Sequence, residues 1–166
     1  LSKTLYDCHL TIKHGLVIPS AGIDESNVQT DDYLLFPERP FVSAKKIYNL
    51  LKSIFNLTSF GVIITDSTTT PLKRGVVGTG LSYYGFSGLK NKVGHNDLFG
   101  RKLEHTQVNI CEALAASATL LMGEANECQP IALIETEVEF KEFDTEEEQS
   151  IPIEEDIYGP LFTPLL

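Results

Sequence analysis

Between Gly75 and Gly94 the chain sets Gly75, Gly78, Gly80, Gly85, Gly88 and Gly94 among Val76-Val77, Leu81, Tyr83-Tyr84 and Phe86. Branched and aromatic side chains suit a pleated, half-buried surface, and glycine weakens a helix interior. The stretch therefore reads as strands joined by close turns. It follows Phe60-Gly61-Val62-Ile63-Ile64-Thr65, a buried strand by length and composition. A sheet is required. The glycines match neither GxGxxG nor GxxxxGK followed by Ser or Thr, so a phosphate loop is declined and tight strand turns explain them most simply.

Other segments fill in the architecture. Leu10 to Ile18 reads as a strand pair or a bent strand, broken at His14-Gly15, and Leu34-Leu35-Phe36 is a short apolar run stopped by Pro37. After Pro40, Ile47, Leu50, Leu51 and Ile54 recur at helical spacing, with Lys45, Lys46 and Lys52 elsewhere around the wheel. From about Leu103 to Met122 a second helix would show Val108, Cys111, Leu114, Ala115, Ala118 and Leu121 on one face, with Gly123 as its C-cap. Ile131 to Phe140 alternates apolar with acidic residues, the pattern of a strand with one wet face. Strands and helices do not alternate regularly and no repeat is evident. The expected class is α+β, with a mixed or largely antiparallel sheet and packed helices.

A length of 166 residues fits a single domain over 1–166, and 42% hydrophobic with 9% aromatic content is globular. No apolar run has the length of a membrane span. The net charge of -10 is concentrated late in the chain, where Glu135, Glu137, Glu139, Glu142, Asp144, Glu146, Glu147, Glu148, Glu154, Glu155 and Asp156 face only Lys141. A basic footprint for nucleic acid is missing. From about Lys141 onward the acidic run reads as a solvated tail, an exposed loop or terminus. Cys8, Cys111 and Cys128 form no CxxC pair, which fits reduced thiols in a cytoplasmic protein.

Three places could carry chemistry. Ala21-Gly22-Ile23-Asp24-Glu25-Ser26-Asn27 puts a carboxylate, a hydroxyl and an amide in one turn after Leu16-Val17-Ile18. Oxygen donors of this kind suit Mg²⁺ or Mn²⁺ beside a polyphosphate. The same string serves equally as an Asx turn. Thr65-Asp66-Ser67 lies at a strand end, where Asp66 is either a ligand or an N-cap. Leu121-Met122-Gly123-Glu124 closes a helix, and Glu124 alone reads as an exposed helix end. Arg74, Arg101 and Lys73 could hold anionic substrate groups, with Arg101 equally able to pair with Asp97. His9, His14, His95 and His105 show no metal-ligand spacing.

Taken in order, the turn around Asp24, Ile63-Ile64-Thr65-Asp66-Ser67, Pro71-Leu72-Lys73-Arg74-Gly75-Val76, Asp97-Leu98-Phe99-Gly100-Arg101-Lys102-Leu103, the helix into Met122-Gly123-Glu124, and Glu155-Asp156-Ile157-Tyr158 resemble the coenzyme F420-0:glutamate ligase-like family of gamma-glutamyl ligases. Within it the chain is most similar to a bacterial branch of gamma-glutamate ligases assigned to folate metabolism. The resemblance implies the F420-0 gamma-glutamyl ligase-like fold and an intertwined homodimer. It implies divalent metal, Mg²⁺ or Mn²⁺, on Asp24, Asp66, Ser67 and Glu124, with Asp24 and Asp66 central to catalysis. It implies a nucleotide, GTP, contacted by Asn27 and by the loop Met122, Gly123, Glu124, Ala125, Asn126, Glu127, Cys128 and Gln129. It also implies an N-terminal segment ahead of the position of Leu1 that contributes part of the nucleotide site.

The implied reaction joins L-glutamate to a carboxylate of a folate-like or F420-like acceptor through an acyl phosphate, with Lys73, Arg74 and Arg101 as the cations for the substrates. Family members that make F420 read Thr-Asp-Thr-Phe-Gly-Arg where this chain reads Thr65-Asp66-Ser67-Thr68-Thr69-Thr70, which argues against F420-0 itself as acceptor. Two other readings stand beside the ligase: a non-catalytic nucleotide- or metabolite-binding protein, and a metal-dependent phosphohydrolase that needs only the two Asp residues and a water.

Overall fold

The computed structural model describes residues 8–143 and 145–162. Asp144 of the acidic run and the positions around Leu1 lie outside the described residues. Packing divides the chain into two compact units, one made of the residues up to Arg39 together with those from Ser150 onward, the other of Pro40–Gln149.

In the first unit, β1 (Leu10–Lys13) and β2 (Leu16–Pro19) form an antiparallel hairpin. Its two central residues, His14 and Gly15, have φ of 52° and 76°. Positive φ at both is what a two-residue turn matched to the strand twist demands. The Thr11 hydroxyl donates to the Ile18 carbonyl at 2.9 Å and accepts from the Ala21 amide at 3.0 Å, which ties the hairpin to the segment that follows it. That segment is a 3₁₀ turn, Ser20–Gly22. Beyond it Asp24 and Leu34 exchange backbone hydrogen bonds of 3.1 and 2.8 Å, so the residues between them close into a loop.

The second unit is built on β3 (Val62–Thr69) and β4 (Val76–Tyr84), paired antiparallel. Helix α1 (Pro40–Phe55) and helix α2 (Ile110–Met122) both pack on this hairpin. Tyr84 packs with Ala44 and Tyr48 of α1, supported by Phe60, Val62 and Ile64. Tyr83, the next residue, packs with Cys111 of α2 and Phe86, supported by Ile63 and Leu114. Alternate residues of one strand thus serve two cores. Tyr48 stacks on Phe60 with ring centres 4.3 Å apart. Two short antiparallel strands, β5 (Leu89–Asn91) and β6 (Gln107–Asn109), and a short helix α3 (Glu146–Gln149) complete the unit. Among the described residues the three sheets are each two-stranded and antiparallel, in the α+β class expected.

Several expectations are corrected. The helix after Pro40 exists, but Ala44 and Tyr48 are its buried residues, while Ile47, Leu50 and Ile54 are 41%, 57% and 61% exposed. Helix α2 starts at Ile110, capped by Asn109, because residues 103–106 are already committed to a hairpin: Leu103 donates to the His95 carbonyl and Lys92 to that of Thr106. Ile131 to Phe140 is not a strand. It pairs only at a Phe86–Phe140 bridge, and its apolar residues do not line one buried face: Ile134 and Val138 are half-buried, while Ile131, Leu133 and Phe140 are exposed.

The glycines of β4 do not make turns. A Cβ at Gly78 would lie 1.9 Å from the Thr119 hydroxyl and 2.5 Å from the Ala115 carbonyl, and one at Gly80 would lie 2.5 Å from the Cys111 sulfur. Their absent side chains let α2 settle directly on the strand. In this stretch Gly75, Gly85 and Gly94, with φ of 93°, 97° and 83°, are the positions that need glycine for the backbone.

Most acids of the late run are exposed, but Glu142 and Glu148 are tied to the fold. The Glu148 carboxylate accepts from the Ser87 hydroxyl at 2.9 Å, the Gly88 amide at 2.8 Å and the Tyr83 hydroxyl. Glu142 accepts from the Tyr48 hydroxyl at 3.1 Å and from Lys52. A charge run stays in water when nothing nearby donates to it, and here hydroxyls, an amide and an ammonium do.

Candidate functional site

Asp24 lies in the first unit, on an exposed turn. Its two carboxylate oxygens accept from the Ser26 amide at 2.9 Å and from the Ser26 hydroxyl at 2.5 Å. These bonds, the hydroxyl first, hold the Asp24 carboxyl below its ordinary pKa, so it is ionised at neutral pH. The Asx-turn reading is therefore borne out. It does not compete with ligation, because an ionised carboxylate has about four acceptor positions and Ser26 takes two. The backbone on either side is left-handed at non-glycine residues, with φ of 49° at Ser20, 57° at Ala21 and 54° at Asn27. Such strain is typical of segments shaped for binding.

Asp66 and Ser67 are half-buried in the second unit, inside β3 rather than at its end. The strand runs on through Thr68 and Thr69 because they pair with Val77 and Val76, and branched residues favour the ladder. Asp66 stands opposite Thr79, and Ser67 opposite Gly78. Directly opposed residues share a face of the hairpin. Between Ile64 and Thr65 the register slips: Ile64 pairs with Ser82 but Thr65 with Gly80, leaving Leu81 as the extra residue of a β-bulge. Bulges re-aim the residues that follow them, here Asp66 and Ser67.

Lys73 and Arg74 are exposed on the β3–β4 turn, where the Lys73 amide donates to the Thr70 carbonyl at 3.1 Å. Arg101 sits in the β5–β6 connection. Its amide donates to the Asp97 carboxylate at 2.8 Å and its guanidinium is 3.7 Å from the same group, so the Asp97 pairing is the one formed. At that distance and 80% exposure the ion pair is weak.

Helix α2 ends where expected. Gly123 caps it with φ of 83° and its amide donates to the Thr119 carbonyl at 3.0 Å. Residues 124–129 follow as an exposed loop, in which the Glu127 carboxylate accepts from the Ala125 amide at 2.8 Å and folds back over Gly123. Glu124 is exposed, as a helix-exit residue would be.

Among the described residues no three His, Cys, Asp or Glu side chains gather into a metal cage. Asp66 with Ser67, and Asp24 with Ser26, are oxygen-only donor pairs. That chemistry fits Mg²⁺ or Mn²⁺ arriving with a nucleotide, because such ions keep water and substrate phosphates as ligands and take only one or two carboxylates from the protein.

A family model described as F420-0:Gamma-glutamyl ligase matches residues 3–136. The chain belongs to this family. It is 42% identical over 124 residues to the Coenzyme F420:L-glutamate ligase of Methanocaldococcus jannaschii, covering 74% of this chain and 48% of that protein. Proteins of the same description from Archaeoglobus fulgidus and Methanosarcina mazei are 41% and 37% identical over 124 and 125 residues, with 74% and 75% of this chain and 49% of each relative covered. The chain thus spans about half the length of these relatives.

Inside the stretch that matches the gamma-glutamyl ligase family, one residue near Asp66 escaped the sequence reading. Glu112, in the first turn of α2, accepts from the Thr79 hydroxyl at 2.9 Å and from the Gly80 amide at 3.2 Å. The string Asn109-Ile110-Cys111-Glu112 has capping-box spacing and could have drawn attention to it. Asn109 does cap the Glu112 amide at 3.0 Å, but the Glu112 carboxylate turns to β4 instead of back to the cap. Beyond the family match, the Gln149 amide donates to the Gly80 carbonyl at 2.6 Å, and no sequence signal marks it. A cavity of about 780 Å³ opens beside β5, lined by Ser87, Lys90, Asn91, Gln107, Glu137 and Glu148 with others, and holds none of the residues selected from sequence. Cys111 is buried, and burial pushes its thiol pKa up, which makes it inert as expected. No described helix is long and apolar enough to cross a membrane.

Proposed function

We propose that this chain is part of a nucleotide-dependent gamma-glutamyl ligase that joins L-glutamate to a carboxylate of a folate-like or F420-like acceptor. The observation that carries this reading is membership in the F420-0:gamma-glutamyl ligase family, with relatives near 40% identity that are named coenzyme F420:L-glutamate ligases. The nucleotide is proposed to be GTP, contacted by Asn27 and by the loop from Met122 to Gln129. The γ-phosphoryl group passes to the acceptor carboxylate, giving an acyl phosphate and a nucleoside diphosphate. The glutamate amine then attacks the acyl carbon, phosphate leaves, and the amine gives up a proton. Bound Mg²⁺ or Mn²⁺ would neutralise charge on the transferring phosphoryl group.

In this scheme Asp24, Asp66, Ser67 and Glu124 orient the nucleotide's cation through oxygen donors. Lys73 and Arg74, exposed on one turn, receive anionic substrate groups, while Arg101 reaches them only by giving up Asp97. A cytoplasmic homodimer belongs to the same proposal. Exposed Leu120, Ile131 and Leu133, each 86% accessible, supply apolar surface for a second copy to cover.

The test is mass spectrometry of F420-type and folate-type acceptors after incubation of full-length protein with GTP, Mn²⁺ and glutamate, with phosphate release followed in parallel. A mass increment of one glutamyl residue, with phosphate release that needs both acceptor and glutamate, is the expected result. Phosphate release at the same rate without either would replace the ligase by a phosphohydrolase. GTP binding with no turnover on any acceptor would leave a binding protein.

A further inference from the structure

We infer that Glu112 and Gln149 are positioning residues for Asp66 and Ser67, acting by holding both backbone groups of Gly80 where the β3–β4 ladder slips. The functional part of this inference rests on the proposed role of Asp66 and Ser67 in holding a nucleotide-borne cation. The bulge at Leu81 separates two registers. On one side Ile64 pairs with Ser82, and on the other Asp66 pairs with Thr79. Losing the slip would set Asp66 opposite Gly80 and Ser67 opposite Thr79, so each would share the other face of β4 from the one it shares now, since side chains alternate along a strand. Something must fix it in place.

The fixing comes from outside the hairpin. Gly80, opposite Thr65, gives its amide to Glu112 at 3.2 Å and its carbonyl to Gln149 at 2.6 Å. Glu112 also takes the hydroxyl of Thr79, the residue facing Asp66. Two elements distant in sequence thus close on one glycine. Helix α2 presses Cys111 against the same residue, so a side chain there would have to displace the Cys111 sulfur. Nearby, the Thr145 hydroxyl donates to the Tyr83 carbonyl at 2.5 Å and Glu148 holds Tyr83, Ser87 and Gly88, which anchors the segment that carries Gln149. The arrangement also covers backbone groups on the outer side of β4, which would otherwise be open to pairing with another chain.

The experiment compares full-length wild type, Glu112→Ala, Gln149→Ala, Glu112→Gln and Asp66→Asn. Hydrogen exchange without ligand is read over residues 62–69 and 76–84, and calorimetry measures binding of GTP with Mn²⁺. Glu112→Ala and Gln149→Ala are expected to speed exchange in these strands selectively, and to weaken Mn²⁺–GTP binding by on the order of 10-fold, the scale seen when groups that orient a ligating side chain are removed. Glu112→Gln keeps an acceptor for Gly80 and a partner for Thr79, and should restore both readouts to within about twofold of wild type; loss of binding there with normal exchange would make Glu112 a ligand and overturn the positioning role. Unchanged exchange in both alanine variants would overturn the inference outright, as would accelerated exchange with wild-type Mn²⁺–GTP affinity. If wild type itself binds no Mn²⁺–GTP, the reading of the site fails, and the exchange data still decide whether Glu112 and Gln149 hold the bulge.

Discussion

Gly80 offers a quantitative test of how α2 meets β4. In Gly80→Ala the new methyl would lie 2.5 Å from the Cys111 sulfur, while its other neighbours, a Glu112 oxygen at 3.6 Å and an Ile63 methyl at 3.8 Å, are at ordinary contact distance. The clash is with one buried atom. Overpacking of this kind costs about 1–3 kcal/mol, and the removal of a strand glycine returns about 0.5–1 kcal/mol, so the single variant should lose roughly 0.5–2 kcal/mol. Cys111→Ala alone removes one buried heavy atom, worth about 0.5–1.5 kcal/mol by comparison with Ile→Val changes. In the double variant the alanine methyl enters the space the sulfur leaves, so the two losses should not add. A coupling of about 1–2 kcal/mol is expected from urea denaturation followed by far-ultraviolet circular dichroism, with the slope m unchanged across the four proteins. Additive losses would show that α2 does not rest on Gly80 through Cys111.

Two further outcomes follow from the hydrogen bonds. Glu148→Ala leaves the Tyr83 hydroxyl and the Gly88 amide without their acceptor, while the Ser87 hydroxyl keeps the Leu89 carbonyl at 3.1 Å, and should cost about 2–3 kcal/mol in the same denaturation assay, whereas Glu135→Ala, exposed in the same acidic stretch, should stay within about 0.5 kcal/mol. Asp24 has a folded pKa below the ordinary aspartate value of 3.8, so its contribution to stability is present above pH 3.8 and is lost as pH falls through the lower folded value; Ser26→Ala should raise the Asp24 titration midpoint seen by NMR toward 3.8, and a midpoint that does not move would mean that the turn is not formed.

The sequence made local structure legible where chemistry is local. The His14-Gly15 break, the helix after Pro40 and the Gly123 cap need only their neighbours to be recognised, and each is present. What stayed hidden depends on residues far apart. Ile47, Leu50 and Ile54 mark α1 as a helix, yet periodicity does not say which face finds a partner, and Tyr48 wins because Phe60 and Tyr84 close around it. Gly78 and Gly80 look like turn residues until α2 is seen lying on them. Ile131 to Phe140 has a strand's alternation but meets its neighbour only at Phe86. Of the site, Asp24 and Asp66 could be selected by motif, whereas Gln149 acts through a single long-range bond to a backbone carbonyl.

Charge does not separate carboxylates open to a ligand from those committed to the fold; satisfaction does. Glu148 looked like surface, being one of a run of acids, but its oxygens accept from two hydroxyls and an amide and are committed to the fold. Glu112 is committed in the same way, to a hydroxyl and an amide of β4. Asp24 differs. The bonds that lower its pKa come from within the turn, first the Ser26 hydroxyl and amide and then the Glu25 backbone, and the group remains exposed. It is therefore ionised, fixed in direction by a local motif, and open on the side facing water. A hard cation needs that combination, because a carboxylate that must first be deprotonated or reoriented loses affinity to both steps. On this ground Asp24→Asn should abolish most Mn²⁺-dependent GTP binding while leaving the β1–β2 hairpin intact, since the asparagine amide oxygen still accepts from the Ser26 amide. Retention of wild-type Mn²⁺–GTP affinity in Asp24→Asn, measured by calorimetry, would reduce the turn to its structural role.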